Sequence, residues 1–156
     1  MVMSSFFDAD ALFVRFDEDM TDLIEKGKDL YLVKHEIEGR VVPNTGAFLI
    51  RNSKWSRNLL DAIWNKKEYI DHPWWENAAI IDLFGYHVLL AEQKPNNFNY
   101  KLLEKVRWLD LKWNSIFELC ETDDKIIEHF AGRPYEYRQT NMRHSWQEIQ
   151  KTIAGV

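Results

Sequence analysis

The sequence predicts an α/β domain built on a mixed sheet with flanking helices. Apolar runs of strand length, at Met3–Phe7 and at residues 30–33 and 47–50, are bounded by charged or turn-forming residues. Other stretches repeat their apolar residues at helical spacing, most clearly residues 55–64. Strand and helix signals mix without strict alternation, which favours a mixed sheet over a purely parallel one.

Taken in order, the first strand covers Met3–Phe7 and stops at an acid, Asp8. Residues 17–26 read as a short helix ended by Gly27. Leu30-Tyr31-Leu32-Val33 is a strand, Pro43-Asn44-Thr45-Gly46 a turn, and Ala47-Phe48-Leu49-Ile50 a second strand. Ser53 has the side chain of a helix N-cap, and Trp55, Leu59, Leu60, Ile63 and Trp64 behind it make one apolar face up to about Asn65. A second helix starts near Pro73, carries Trp75, Ala78, Ala79, Ile81, Leu83 and Phe84, and ends at Gly85. Residues 87–90, 106–111 and 125–130 read as strands, and Gln93-Lys94-Pro95-Asn96-Asn97 as a loop. The last helix spans residues 141–154 with Trp146, Ile149 and Ile153 as its apolar stripe. Trp55, Trp64 and Trp146 fall on such stripes and are expected in the core.

A chain of 156 residues, 46% hydrophobic and 14% aromatic, is long enough for one domain over residues 1–156 with a sizeable core. Its net charge of −5 and lack of a Lys/Arg block argue against nucleic acid or an anionic membrane as the main partner. Cys120 is the single cysteine, so no disulfide forms within the chain, and it is expected to be a small buried apolar residue. No apolar run reaches the length of a membrane span, and no basic region followed by an apolar stretch opens the chain. On those grounds the expected location is cytoplasmic.

The chemistry is concentrated in a few segments. Asp8-Ala9-Asp10 places two acids in an apolar run, where carboxylates need a cation or hydrogen-bond donors. In an extended segment the two would share a face and converge on one hard divalent ion. Asp17-Glu18-Asp19 has the same spacing but a polar setting, and reads as a solvated turn or helix start. Asn44-Thr45-Gly46 precedes an apolar strand, Glu76-Asn77 sits in the first turn of a helix, and His129-Phe130-Ala131-Gly132 ends a strand. Each has a plain structural alternative: turn residues, helix-dipole complements and a sheet-edge histidine. His35, His72, His87 and His144 show no partner pattern and are assigned to structure or surface.

In order and spacing these segments resemble the metal-dependent GT-A glycosyltransferases, and in particular the galactosyl/mannosyl/xylosyltransferases of family 34. The most specific likeness is Asn44-Thr45-Gly46-Ala47-Phe48-Leu49-Ile50-Arg51-Asn52, followed by Trp55-Ser56; residues 107–115, ending in Asn114-Ser115, are a looser one. The resemblance covers the catalytic half of such a domain. It implies a GT-A sheet whose upstream nucleotide-binding β-α-β part is missing here, so residues 1–156 would be a partial domain. A eukaryotic member of that family would sit in the Golgi lumen or membrane.

The resemblance also implies roles. Asp8, Asp10 and His129 would hold Mn²⁺, with Mg²⁺ or Co²⁺ as substitutes. Asn44, Thr45 and Gly46 would bind the donor or substrate, Gly132 and Arg133 the diphosphate of a nucleotide sugar, and Trp74 would stack on a sugar ring. Glu76 and Asn77 would be the catalytic pair, although many relatives carry glutamine at the second position. The activity implied is retaining transfer of a hexose or pentose to a saccharide acceptor, as in polysaccharide biosynthesis. Two other readings stay open: a non-catalytic remnant that binds a sugar or a partner, and a phosphoryl-transfer enzyme with Asp8 as nucleophile.

Overall fold

Two long strands organise the molecule, a computed structural model that describes residues 2–37, 39–88 and 96–155. β3 (Leu30–Ile37) and β4 (Arg40–Arg51) run antiparallel and carry β1 (Met3–Phe7) beyond β4 and β5 (Val106–Leu109) beyond β3. β1 is antiparallel to β4, whereas β5 is parallel to β3, which makes the sheet mixed. A second sheet takes β7 (Ile127–His129) at its centre, with β2 (Ala11–Phe13) antiparallel on one side and β6 (Ser115–Ile116) parallel on the other.

The alternation of side chains along β3 sets the layers. Leu30 and Leu32 point to one face, where Leu59 of α1 (Lys54–Trp64) and Ile80 of α2 (Trp75–Leu83) cover them together with Phe84 and Val106. Tyr31 and Val33 point to the other, into a cluster with Ala47, Leu49, Trp113, Ile126 and Ile127 that joins the two sheets. Burying each of the larger of these side chains stabilises the fold by about 1.5–3 kcal/mol relative to exposure. Two further helices complete the chain, α3 (Tyr100–Leu103) and α4 (Tyr135–Ala154).

Several expected elements are found close to their expected bounds. Met3–Phe7 is a strand, and Ser53 caps α1 through a reciprocal pair with Ser56. α2 ends at Gly85, whose φ of +78° suits glycine.

Others differ for identifiable reasons. Residues 17–26 contain only a 3-10 turn, Met20–Leu23. The Tyr31 hydroxyl, anchored in the core, accepts from the Glu25 N–H and donates to its carbonyl, engaging backbone groups a helix would need. Residues 43–46 do not reverse the chain but lie inside β4. There the pairing with β3 jumps from Leu32↔Phe48 to Val33↔Asn44, so Thr45, Gly46 and Ala47 form a bulge. Turn-forming residues make that bulge through a local bond, Gly46 N–H to Asn44 Oδ1 at 2.8 Å. Pro43 is tolerated because β1 pairs only with residues 47–51 of β4, leaving Pro43 with one strand neighbour. The reversal itself lies at Gly39, with φ +71°.

α4 begins at Tyr135, six residues before the expected start at 141, and buries Ile149, while Trp146 and Ile153 are exposed. Trp64 is also exposed, with Lys67 Nζ 4.6 Å from its ring centre, whereas Trp55 packs against the α1–α2 cluster. α2 is buried along Ala78–Ala79–Ile80–Ile81 rather than on a single stripe, because it lies between two apolar clusters. His87 and Val88 are not in a strand; Leu89, Leu90 and Gln93–Pro95 lie outside the described residues. The strand after Val106 ends at Leu109, and that at 125–130 is confined to Ile127–His129. Cys120 is only partly buried, with its Sγ donating to the Glu36 carbonyl. Among the described residues, no helix is long and apolar enough to cross a membrane.

Candidate metal centre

The Asp8-Ala9-Asp10 segment is a turn between β1 and β2, not a continuous strand, so its acids converge by chain reversal and not by the pleat of a strand. Its backbone is held on both sides. Asp8 N–H donates to Gly46 O at 2.8 Å, Ala11 N–H to Asp8 O at 3.1 Å, and Phe130 N–H to Asp10 O at 2.9 Å. The last of these, with the pairing of Ala11 and His129, brings the end of β7 against the turn.

Asp8, Asp10 and His129 thereby form a cluster in which one ligand atom of each lies within 4.8 Å of the others. His129 Nε2 is 3.3 Å from Asp10 Oδ1 and 3.5 Å from Asp8 Oδ2. His129 is 1% exposed, and its Nε2 is a buried polar atom with no hydrogen-bond partner among the described residues. A buried imidazole nitrogen facing two carboxylates offers, together with them, one convergent set of donor atoms that could hold a cation. Carboxylate oxygens with one imidazole nitrogen suit Mn²⁺, Mg²⁺ or Co²⁺, so the residues present fit the ion that the sequence implies.

A relay of hydrogen bonds fixes which nitrogen of His129 faces the cluster. Gly46 N–H can only donate, so Asn44 turns its Oδ1 towards it. That oxygen also accepts from Asn114 Nδ2 at 2.7 Å, which leaves Asn114 Oδ1 facing His129 Nδ1 at 2.9 Å. His129 Nδ1 must then carry a proton, and in the neutral ring Nε2 is the nitrogen that can bind a cation. Asn114 is fully buried, and its backbone carbonyl accepts from His35 Nε2 at 2.6 Å. Gly46 also gives the His129 ring its space: a Cβ there would meet Cε1 at 2.0 Å.

The charges follow from this packing. Burial pushes the His129 imidazole down, but Asp10 and then Asp8 outweigh it and hold its pKa above the ordinary value. Asp10 is pulled down to about 2, first by His129 against the opposing effect of burial, and further by Arg138. Arg138 Nη1 lies 2.6 Å from Asp10 Oδ2, so the two Asp10 oxygens are divided between the guanidinium and the cluster. Burial, partly offset by the hydrogen bond to Asn114, drops His35 to about 4, keeping it neutral.

Next to the cluster, Thr45 N–H donates to Asn77 Oδ1 at 3.0 Å, and Thr45 Oγ1 lies 3.2 Å from the same oxygen and 3.4 Å from Glu76 Oε1. The structure thus links Asn44, Thr45, Gly46, Glu76, Asn77, Asp8, Asp10 and His129 through one strand bulge. Trp74 is partly buried, edge-on to His72. Trp75 is 63% exposed at φ +38°, beside an apolar cavity of about 780 Å³ that Phe6, Phe48, Trp64, Thr45 and Glu76 also line. Gly132, at φ +71°, borders open space. Arg133 faces Glu118 and the Phe117 carbonyl, not the acids.

Sequence reasoning did not assign Asn114, Arg138 or Trp75 to the site. Asn114-Ser115 was visible as a segment without a role. Arg138 was hidden by placing the start of α4 after it.

No protein-family model matches the chain, and no curated protein sequence matches it at a significant level. Among solved structures it is similar to a glycosyltransferase involved in the glycosylation of the major capsid of PBCV-1, at a TM-score of 0.64 and 14% identity. The match covers 91% of this chain and 66% of that one. At that identity the likeness concerns architecture: the protein has a mixed α/β fold of the GT-A glycosyltransferase type.

Proposed function

We propose that the protein is a metal-dependent retaining glycosyltransferase, related to the family 34 enzymes. It would transfer a hexose or pentose from a nucleotide-diphosphate sugar to a saccharide acceptor. The observation that carries this reading is the buried Nε2 of His129, held by the Gly46–Asn44–Asn114 relay at 3.3 Å from Asp10 and 3.5 Å from Asp8 on a glycosyltransferase-type fold.

A divalent ion on Asp8, Asp10 and His129 would stabilise the negative charge of the departing diphosphate. The chain's own residues supply position. Asn77 turns its oxygen to Thr45, so its amide N–H groups are free to donate to the sugar. Glu76 is exposed at the rim and accepts from sugar hydroxyls. Thr45 holds both side chains to the bulge, and Gly132 lets the donor approach the backbone. Arg133, engaged by Glu118 and the Phe117 carbonyl, stands apart from these contacts. Trp74 borders the sugar pocket from its partly buried position, and Trp75 supplies the open indole face. In a retaining front-face reaction, the acceptor oxygen bonds to the anomeric carbon as the bond to phosphate breaks. The acceptor proton passes to the leaving phosphate oxygen, so no protein base is required and positioning dominates.

Thermal unfolding with Mn²⁺ and UDP or GDP tests the proposal. The pair should raise Tm, and Asp10→Ala should remove the shift. No shift with either nucleotide counts against it. A second reading, metal-independent saccharide binding without transfer, is favoured by the exposed Trp64 and Trp75 indoles. It predicts oligosaccharide binding that survives EDTA and Asp10→Ala.

A further inference from the structure

Arg138 is the cation that the site itself provides. It stands on the first turn of α4, four residues after Pro134, and reaches Asp10 Oδ2 at 2.6 Å. Its helix is well anchored: Ile149 is buried, and Ser145 Oγ donates at 2.6 Å to Glu128 Oε2 on β7. Glu128 is itself buried and paired with Lys125 at 2.5 Å.

The guanidinium is only partly used. A guanidinium has five N–H donors; Nη1 serves Asp10, and Nε is buried without a partner among the described residues. The group keeps about a third of its side-chain surface open. Asp10 meanwhile keeps Oδ1 for the cluster, so Arg138 does not block the metal position. With a divalent ion on Asp8 and Asp10, the two carboxylate charges are balanced and Arg138 leaves one positive charge in excess. An anion seated on the ion is the group that this charge and these spare donors fit.

We propose that Arg138 is a positioning and charge-binding residue for the diphosphate of the donor, holding Asp10 through Oδ2 while its remaining N–H groups take phosphate oxygens. The inference rests on the metal-dependent reading of the site. It assigns to Arg138 the part that the sequence suggests for Arg133, whose guanidinium is directed to Glu118 and the Phe117 carbonyl.

The test uses Mn²⁺ alone and then inorganic pyrophosphate at saturating Mn²⁺, since pyrophosphate carries the part common to all such donors whatever their base. Mn²⁺ binding is read by electron paramagnetic resonance and pyrophosphate binding by calorimetry, on the wild type and on Arg138→Ala, Arg138→Lys and Arg133→Ala. Arg138→Ala should bind Mn²⁺ about 3- to 10-fold more tightly, because a neighbouring positive charge is gone. Its pyrophosphate affinity should fall about 10- to 30-fold, the usual scale for losing a charge-assisted pair. Arg138→Lys should recover part of that loss by restoring the charge without the fork, and it serves in place of Arg138→Ala should the latter not fold. Arg133→Ala should stay within about twofold of wild type for pyrophosphate, on the same scale. Pyrophosphate affinity unchanged in Arg138→Ala, with Mn²⁺ still bound, overturns the inference and leaves the metal site intact. Failure of the wild type to bind Mn²⁺ overturns the metal reading itself.

Discussion

The imidazole of His129 occupies the space a side chain on residue 46 would need, so that a methyl group there would come within 2.0 Å of Cε1, 2.6 Å of Nδ1 and 2.8 Å of Nε2. The same glycine starts, through its N–H, the relay that orients the ring. One residue without a side chain therefore sets both the position and the tautomer of a proposed ligand.

Gly46→Ala should displace the ring, because neither the strand bulge nor the buried histidine has room to give. Overpacking of this kind costs about 1–3 kcal/mol, which a fall in Tm would report. Mn²⁺ affinity should drop at least about tenfold, as expected when a ligand is misoriented. A variant with normal Mn²⁺ affinity would remove His129 from the ligand set.

Asn114→Ala removes the link between Asn44 and His129 and lets the imidazole choose its tautomer. Metal affinity should fall about 10- to 100-fold although no ligand is altered. Stability should fall as well, since Asn44 Oδ1 loses a donor and His129 Nδ1 loses its acceptor. Mn²⁺ titration together with thermal unfolding separates the two effects.

His35 and His129 give the apo protein opposite pH dependences. His35 titrates at about 4 in the folded chain against an ordinary value near 6.5, so its contribution is present above 6.5 and is lost as pH falls towards 4. The separation corresponds to about 3 kcal/mol in all. The raised pKa of His129 contributes stability below its unfolded value, and that contribution disappears as pH rises through its folded value. Tm measured from pH 4 to 8 should therefore rise through the acid range in the wild type and flatten there in His35→Gln. An unchanged acid limb in His35→Gln would place the sensitivity on other groups.

Trp75 pairs a left-handed backbone with an exposed indole, a combination that costs stability and needs a reason elsewhere. Trp75→Gly should leave Tm unchanged or raise it by a few degrees, since glycine accepts φ +38° without strain. Saccharide affinity should decrease at the same time. A large loss of stability would show instead that the indole serves packing.

Where the sequence was readable, local chemistry agreed with the surroundings. Met3–Phe7, the Ser53 cap and the end of α2 at Gly85 each depend on neighbours close in the chain. Asp8 and Asp10 were legible because acids in an apolar run ask for partners, whereas His129 was singled out through the family resemblance of its segment. The turn expected at residues 43–46 became a bulge because β3 pairs with β4 both before it, at residues 40–44, and after it, at residues 48–50, which no local pattern reveals. Asn114 could not be ranked from its position in the chain. Its importance comes from lying between His35, His129 and Asn44, which are 15 to 79 residues away. Arg138 meets Asp10 across 128 residues.

The pairing of β1 with β4 also acts as a ruler. Phe7 sits opposite Ala47, and the next bond along joins Asp8 to Gly46, so the place where the acids leave the sheet is counted from the strand's own register. Shifting β1 by one residue would exchange the faces that Phe6 and Phe7 occupy and carry Asp8 away from His129. A residue inserted between Phe7 and Asp8 would thus move the acids off this count while leaving every proposed ligand in the chain.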